Sequence, residues 1–310
     1  LSRMMPALTT TTEGEHTVEI LPYTYYGQHD VDGKPFNLFI RMNAKLQIPT
    51  DRIANTLLVG TDFSLDKNYG EGQKFDPLAP PYTGTSVRPR KLSLIPAMST
   101  LAFYAEERLR LPVARHTFEV NGGVRVSQML NLPTTYTMRG QWYADPRVNL
   151  GWSFPQFQIG KWATNIRLQG GVGQHTKFPT MDYIYPDPRY LDIIQLSYYS
   201  PNEALRTINV RTFVLDVANK NIQPAHNFKW EMGTDINVAG NHLSLTFFHE
   251  DMKSGFRANT IYHPYSFKQF NTSGIDANSL ISPPDVNKLP YTIEQELFGN
   301  TEYTNGSRTL

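Results

Sequence analysis

Apolar and polar residues alternate with period two along much of the chain, and the segment 228–250 sets the pattern. In FKWEMGTDINV, Phe228, Trp230, Met232, Thr234, Ile236 and Val238 fall on one face. Lys229, Glu231, Gly233, Asp235 and Asn237 fall on the other. Successive side chains of a strand point to opposite sides, so this is a strand with one apolar and one polar face. After Ala239-Gly240-Asn241 the pattern resumes, with Leu243, Leu245 and Phe247 against Ser244 and Thr246. A short Gly-containing linker between two alternating runs predicts a β-hairpin.

The same split recurs upstream. Phe36, Leu38, Ile40, Met42, Ala44, Leu46 and Ile48 oppose Asn37, Arg41, Asn43, Lys45 and Gln47, with Phe39 the one exception. Further strands are expected over 57–66, 101–111, 117–127, 148–154 and 162–172. The run 101–111 is rich in helix formers, but its period-two split favours a strand. Residues 16–27 form a weaker candidate, interrupted by Pro22. That makes about nine strands. Residues 67–96 and 174–227, both rich in Pro, are expected to be irregular, and the tail from Lys253 loop-like.

The connections carry a second pattern. They are short at 49–55, 112–115, 155–161 and 239–241, and mostly long at 67–96, 174–227 and beyond 253. In an up-and-down antiparallel sheet successive connections lie at opposite ends. Short turns at one end and long loops at the other are the habit of transmembrane β-barrels. A soluble sandwich would bury the same apolar face in a core. The strand lengths, the loop asymmetry and the pair Trp152 and Trp162, flanking one turn on the apolar face, favour the barrel. The expected fold is therefore all-β, an antiparallel up-and-down transmembrane barrel. Its polar face, carrying Arg41, Lys45, Glu119, Arg125, Arg147, Arg167, Lys229, Glu231 and Asp235, would line the lumen.

Composition agrees with strands: 17 Tyr, 17 Phe and 4 Trp in 310 residues. No run approaches the roughly 18 apolar residues of a membrane helix, which leaves a strand-built span open. The 29 basic and 28 acidic residues leave a net charge of +1, which argues against a nucleic-acid partner. There is no cysteine, hence no disulfide framework and no thiolate site. His249-Glu250 begins a zinc-protease pattern, but Lys253 stands where the second ligand belongs. Gly171-Val172-Gly173 begins a dinucleotide pattern that Thr176 breaks. Glu106 and Glu107 point to opposite faces and make a poor acid–base couple. No enzyme, metal site or cofactor is expected.

Five stretches resemble the barrel of TonB-dependent outer-membrane receptors, including the nutrient-importing SusC-like branch. They are LAFYAEERLRL at 101–111, HTFEVNGGVRV at 116–126, DPRVNLGWSF at 145–154, IRLQGGVGQHTKFPT at 166–180 and, most strongly, 224–256 with its Lys-Trp-Glu-x-Gly core. They follow the family's order across about 100–256. The resemblance implies a parent barrel of about 22 strands with a plug in its lumen. It implies energy coupling through the TonB complex and location in the Gram-negative outer membrane, facing lipid. A SusD-like surface lipoprotein is a further partner of the SusC-like branch. The plug and the final aromatic strand of such barrels are expected to be absent, so the chain reads as a piece of a larger protein, 1–310 being barrel throughout. The function implied is active import of a nutrient such as a glycan or siderophore. A passive porin or adhesin barrel, and a soluble carbohydrate-binding module, are the alternatives.

Ligand contact is expected from the long loop, where Tyr183, Tyr185, Tyr190, Tyr198 and Tyr199 lie among Asp182, Asp187, Arg189 and Asp192. Aromatic faces beside polar hydrogen-bonders suit a glycan or chelate. Packing of these tyrosines against neighbouring loops is the competing role.

Overall fold

A computed structural model of the chain describes residues 4–49, 53–81 and 88–309. Residues 50–52 of the expected first short turn and 82–87 of the first long loop lie outside them. The strands in chain order are β1 (Gly14–Val18), β2 (Asp30–Asp32), β3 (Pro35–Pro49), β4 (Ala54–Asn68), β5 (Gly72–Lys74), β6 (Met98–Val113), β7 (His116–Leu130), β8 (Tyr143–Ser153), β9 (Phe157–Ile159), β10 (Trp162–Lys177), β11 (Arg189–Tyr198), β12 (Thr207–Leu215), β13 (Ala225–Val238), β14 (Asn241–Phe270) and β15 (Tyr291–Thr309). One helical turn, α1, spans Met181–Ile184. Among the described residues no helix is long and apolar enough to cross a membrane.

The large sheet runs β15-β14-β13-β10-β8-β7-β6-β4-β3, with the short β9 beside β10. Every described pairing in it is antiparallel. The path keeps chain order throughout, as an up-and-down meander requires, with β5, β9, β11 and β12 set in the connections. The tightest turn, Ala239-Gly240, has both residues at positive φ (52° and 82°), as a two-residue hairpin of right-handed twist demands. Asn241 joins the strand rather than the linker.

The apolar face is bare. Met42, Leu150 and Phe247 are 63%, 56% and 69% exposed, in line with their neighbours on the same face. A sandwich would have buried them; a contiguous exposed apolar sheet face belongs in lipid. Aromatic residues edge this band. At the short-turn end Trp152 stacks on Phe118 and Phe154, with ring centroids 5.5 and 4.2 Å apart. Its indole N–H donates to His116 Nδ1 at 3.1 Å. At the long-loop end Phe36 meets Tyr69 and Phe103 meets Trp142. Such belts seat a barrel at the two membrane interfaces. Phe39, the exception in β3, faces the polar side, where the Arg41 guanidinium lies 5.1 Å from its ring centre.

Three expectations fail. Residues 174–227 are not irregular: α1, β11 and β12 lie there, and β1-β12-β11 form a separate three-stranded sheet. Ile208, Asn209 and Val210 are all buried, so β12 is covered on both faces and its sequence does not alternate. The prolines fall in the connections. The tail from Lys253 is also strand: β14 continues to Phe270 and returns as β15. Pro264 is tolerated because this part of β14 pairs only with β15, an edge where a lost N–H costs little. Finally, only residues 16–18 of the 16–27 candidate lie in a strand, β1, and it belongs to the small sheet.

At the long-loop end Met129, Leu132, Tyr136, Met138, Ile184 and Ile222 form a buried core. Tyr136 donates its hydroxyl to the Ile184 carbonyl. The Thr137 N–H donates to the Lys220 carbonyl at 3.1 Å. The Gln223 N–H donates to Asn305 Oδ1 at 2.9 Å, binding this core to β15. The loops thus form a folded layer above the sheet.

Two outcomes follow. Single cysteines at Glu119, Asn121 and Arg125 in intact membranes are expected to react with a water-soluble maleimide. Cysteines at Phe118, Val120 and Val124 are expected to resist it and to contact a lipid-phase quencher; shielding of those three from lipid would restore the sandwich. Ala239→Asn, giving Asn-Gly at a turn that needs positive φ twice, is expected to stabilise the hairpin by about 0.5–1 kcal/mol in denaturant unfolding.

Candidate functional site

The polar face is organised by ion pairs that cross between strands. Asp62 of β4, its side chain 4% exposed, accepts from Arg41 Nε at 2.7 Å, Arg41 Nη2 at 3.1 Å and Arg125 Nη1 at 2.6 Å. Its opposite residue on β6 is Ala102, small enough to let Arg125 reach over from β7. Two further pairs join strands that are not neighbours, each passing over a glycine. Arg147 of β8 reaches Glu106 of β6, and the residue in register between them is Gly123. Arg167 of β10 reaches Glu119 of β7 at 2.7 Å, with Gly151 of β8 beneath. A Cβ on Gly151 would lie 3.1 Å from the Arg167 guanidinium, and one on Gly123 2.9 Å from the Ala105 carbonyl oxygen. Tyr104 lies over Gly60 in the same way, where a Cβ would meet its ring at 2.5 Å.

The remaining polar-face residues are less tied. Lys229 pairs with Glu250 at 3.0 Å, and Asp235 lies 3.9 Å from His242 Nε2. Lys45 and Glu231 form no ion pair among the described residues. Pairs with half-exposed arginines contribute only about 0.2–1 kcal/mol each.

A cavity of about 510 Å3 opens in the loop layer. Of the expected ligand residues, Tyr185, Arg189 and Tyr190 line it, together with Asp182 and Asp187. Tyr183 does not: it packs in the loop core, 4.2 Å from Tyr303 and 5.0 Å from Phe256 between ring centroids. Tyr198 lies at the end of β11, away from the cavity, and Tyr199 lies under the Arg206 guanidinium at 4.9 Å. Asp192 is structural. Its carboxylate is clamped by Arg88 at 2.7 Å and by the Thr212 hydroxyl at 2.7 Å. Arg88 also donates to the Thr10 carbonyl at 2.9 Å and covers Tyr190 at 4.8 Å.

The other wall comes from places that alternation and aromatic clustering did not mark: Arg88, Arg90, Leu92 and Ile95 of the first long loop, and Thr301 and Tyr303 of β15. The two arginines flanking Pro89 in a proline-rich loop were the available signal, as was the alternation of Ile293 and Leu297 with Glu294 and Glu296. Arg90 pairs with Asp187 and donates to the Tyr185 carbonyl at 3.1 Å. Arg189 and Asp182 form no ion pair among the described residues. Burial pushes the Tyr185 phenol above its ordinary range, so it stays a neutral hydroxyl. Tyr136 beneath is pushed up to about 12, chiefly by burial and further by Asp216. Among the described residues no group of three or more His, Asp or Glu could hold a metal ion. The arrangement offers binding: aromatic and proline faces, with planar charged groups at their margin.

A family model described as TonB dependent receptor-like, beta-barrel matches residues 7–304. The match extends well beyond the five motifs at 100–256. No curated protein matches the chain.

Arg88 and Asp192 are 2% and 4% exposed, so breaking the pair strands a buried charge. Arg88→Ala is expected to destabilise the small sheet by about 3–5 kcal/mol, read as faster hydrogen exchange in β11 and β12. Protection equal to the parent's would remove Arg88 from this role.

Proposed function

The chain belongs to the TonB-dependent receptor family through its β-barrel, and on that premise we propose that it forms part of the wall of an active nutrient importer. The family comprises outer-membrane receptors and transporters of Gram-negative bacteria rather than enzymes. The observation that carries the finer reading is the division of one sheet between a bare apolar face and a salt-bridged polar face, topped by a folded loop layer with a cavity. A ligand is caught in that cavity on the extracellular side. The polar face lines the lumen and receives a plug, and TonB acting on the plug opens the path.

The edges support a larger barrel. Among the described residues β3 pairs only with β4, and residues 241–250 of β14 pair only with β13. Unpaired backbone groups are not sustained in hydrocarbon, so further strands of the parent cover both edges. The unpaired Lys45 and Glu231 are free to bond the plug. A SusD-like lid over the loops would extend the same scheme.

Growth of cells bearing the full-length receptor, on panels of sole carbon and sole iron sources with and without TonB, tests the coupling. At least one source is expected to support growth only when receptor and TonB are both present. Equal growth without TonB would identify a passive pore.

A further inference from the structure

We propose that the loop cavity takes a neutral, polyhydroxylated ligand, an oligosaccharide, and not an anionic metal chelate; this rests on the importer reading of that site. The charges at the cavity balance. Three guanidiniums, Arg88, Arg90 and Arg189, stand at the cavity, and three carboxylates stand with them. Asp192 neutralises Arg88, Asp187 neutralises Arg90, and Asp182 shares the lining with Arg189. A polyanion entering this site would shed hydration and find no net positive field in return, with the Asp182 carboxylate opposing it. A neutral ligand meets no such cost.

The polar groups left uncommitted suit hydroxyls. Arg189 and Asp182 are exposed and unpaired among the described residues, and Gln73 lines the same space. Guanidinium, carboxylate and carboxamide are planar, two-pronged groups, and each can hold two adjacent hydroxyls at once. Between them lie apolar surfaces: Pro89, Pro186 and Pro188, with the ring of Tyr303. A pyranose ring presents hydroxyls at its rim and C–H bonds on its faces, and it matches that combination of edge and surface. The volume, about 510 Å3, lies within the roughly 300–1,000 Å3 of small-molecule sites.

The segment is also anchored at both ends. The residues before and after the cavity segment are locked, Tyr183 in the loop core and Tyr190 under Arg88. A preformed site loses little entropy on binding a ligand whose single contacts are weak.

The test is calorimetric titration of the purified full-length receptor with malto-, xylo- and cello-oligosaccharides and with a ferric tris-catecholate. At least one oligosaccharide is expected to bind, and Arg189→Ala and Asp182→Ala are each expected to weaken it by about tenfold or more. Both positions are exposed, so folding is expected to survive, and an unchanged far-UV spectrum checks it. Preferential binding of the catecholate, no binding of any oligosaccharide, or oligosaccharide binding that neither substitution alters overturns the proposal. TonB-dependent uptake of the catecholate would sink the glycan assignment and leave the importer standing; TonB-independent uptake of a bound oligosaccharide would do the reverse.

Discussion

In hydrocarbon no water is present to satisfy a backbone N–H or C=O, and everything else in this molecule is arranged around that constraint. It selects strands long enough to cross, antiparallel neighbours joined at alternate ends, and tight turns wherever the chain must reverse at the membrane surface. It also explains why loops and edges differ in tolerance. Pro264 is carried in β14 only where that strand has run past β13 and has a single neighbour, β15, among the described residues. Within the wall the described pairings run through fourteen registered positions between β10 and β13.

Backbone pairing fixes the faces, and the polar face then needs its own solution. Adjacent strands bring like positions side by side, and long arginines need room to find acids two strands away. Glycine supplies that room. The Gly-Gly-x-Arg run of β7 has a physical reading: Gly123 is the saddle over which Arg147 reaches Glu106, and Arg125 reaches Asp62. The central Tyr104 of β6 likewise lies over Gly60, covering backbone that a side chain would otherwise shield. Motifs that look like loose family resemblance in the sequence are pieces of one cross-strand ladder.

Legibility followed the solvent. Strands with one face in lipid and one in a polar space show a period of two, and those were readable: β3, β4, β6, β7, β8, β10 and the β13–β14 hairpin. β12 is buried on both faces, so Ile208, Asn209 and Val210 give no alternation to read. β15 did alternate, with Ile293 and Leu297 against two glutamates, but it followed a proline-rich stretch that masked it. The candidate site divided in the same manner. Tyrosine clustering found Tyr185 and Tyr190 but could not separate them from Tyr183, which the fold uses for packing. Arg88 was out of reach, since its partners Thr10 and Asp192 are 78 and 104 residues away.

The cavity shares its lining with the wall itself, so a ligand held there would bear on both. Two of its lining residues, Thr301 and Tyr303, belong to β15, which is registered through eighteen positions against β14. Tyr303 packs against Tyr183, and Tyr183 sits two residues before Tyr185. A ligand touching Tyr185 and Tyr303 therefore bridges the loop core and a strand that leads toward the membrane. A loop held only by its own ends could close over a ligand without consequence below. Here the cavity and the sheet share residues, so contact at one would reach the other through packed rings and paired backbone.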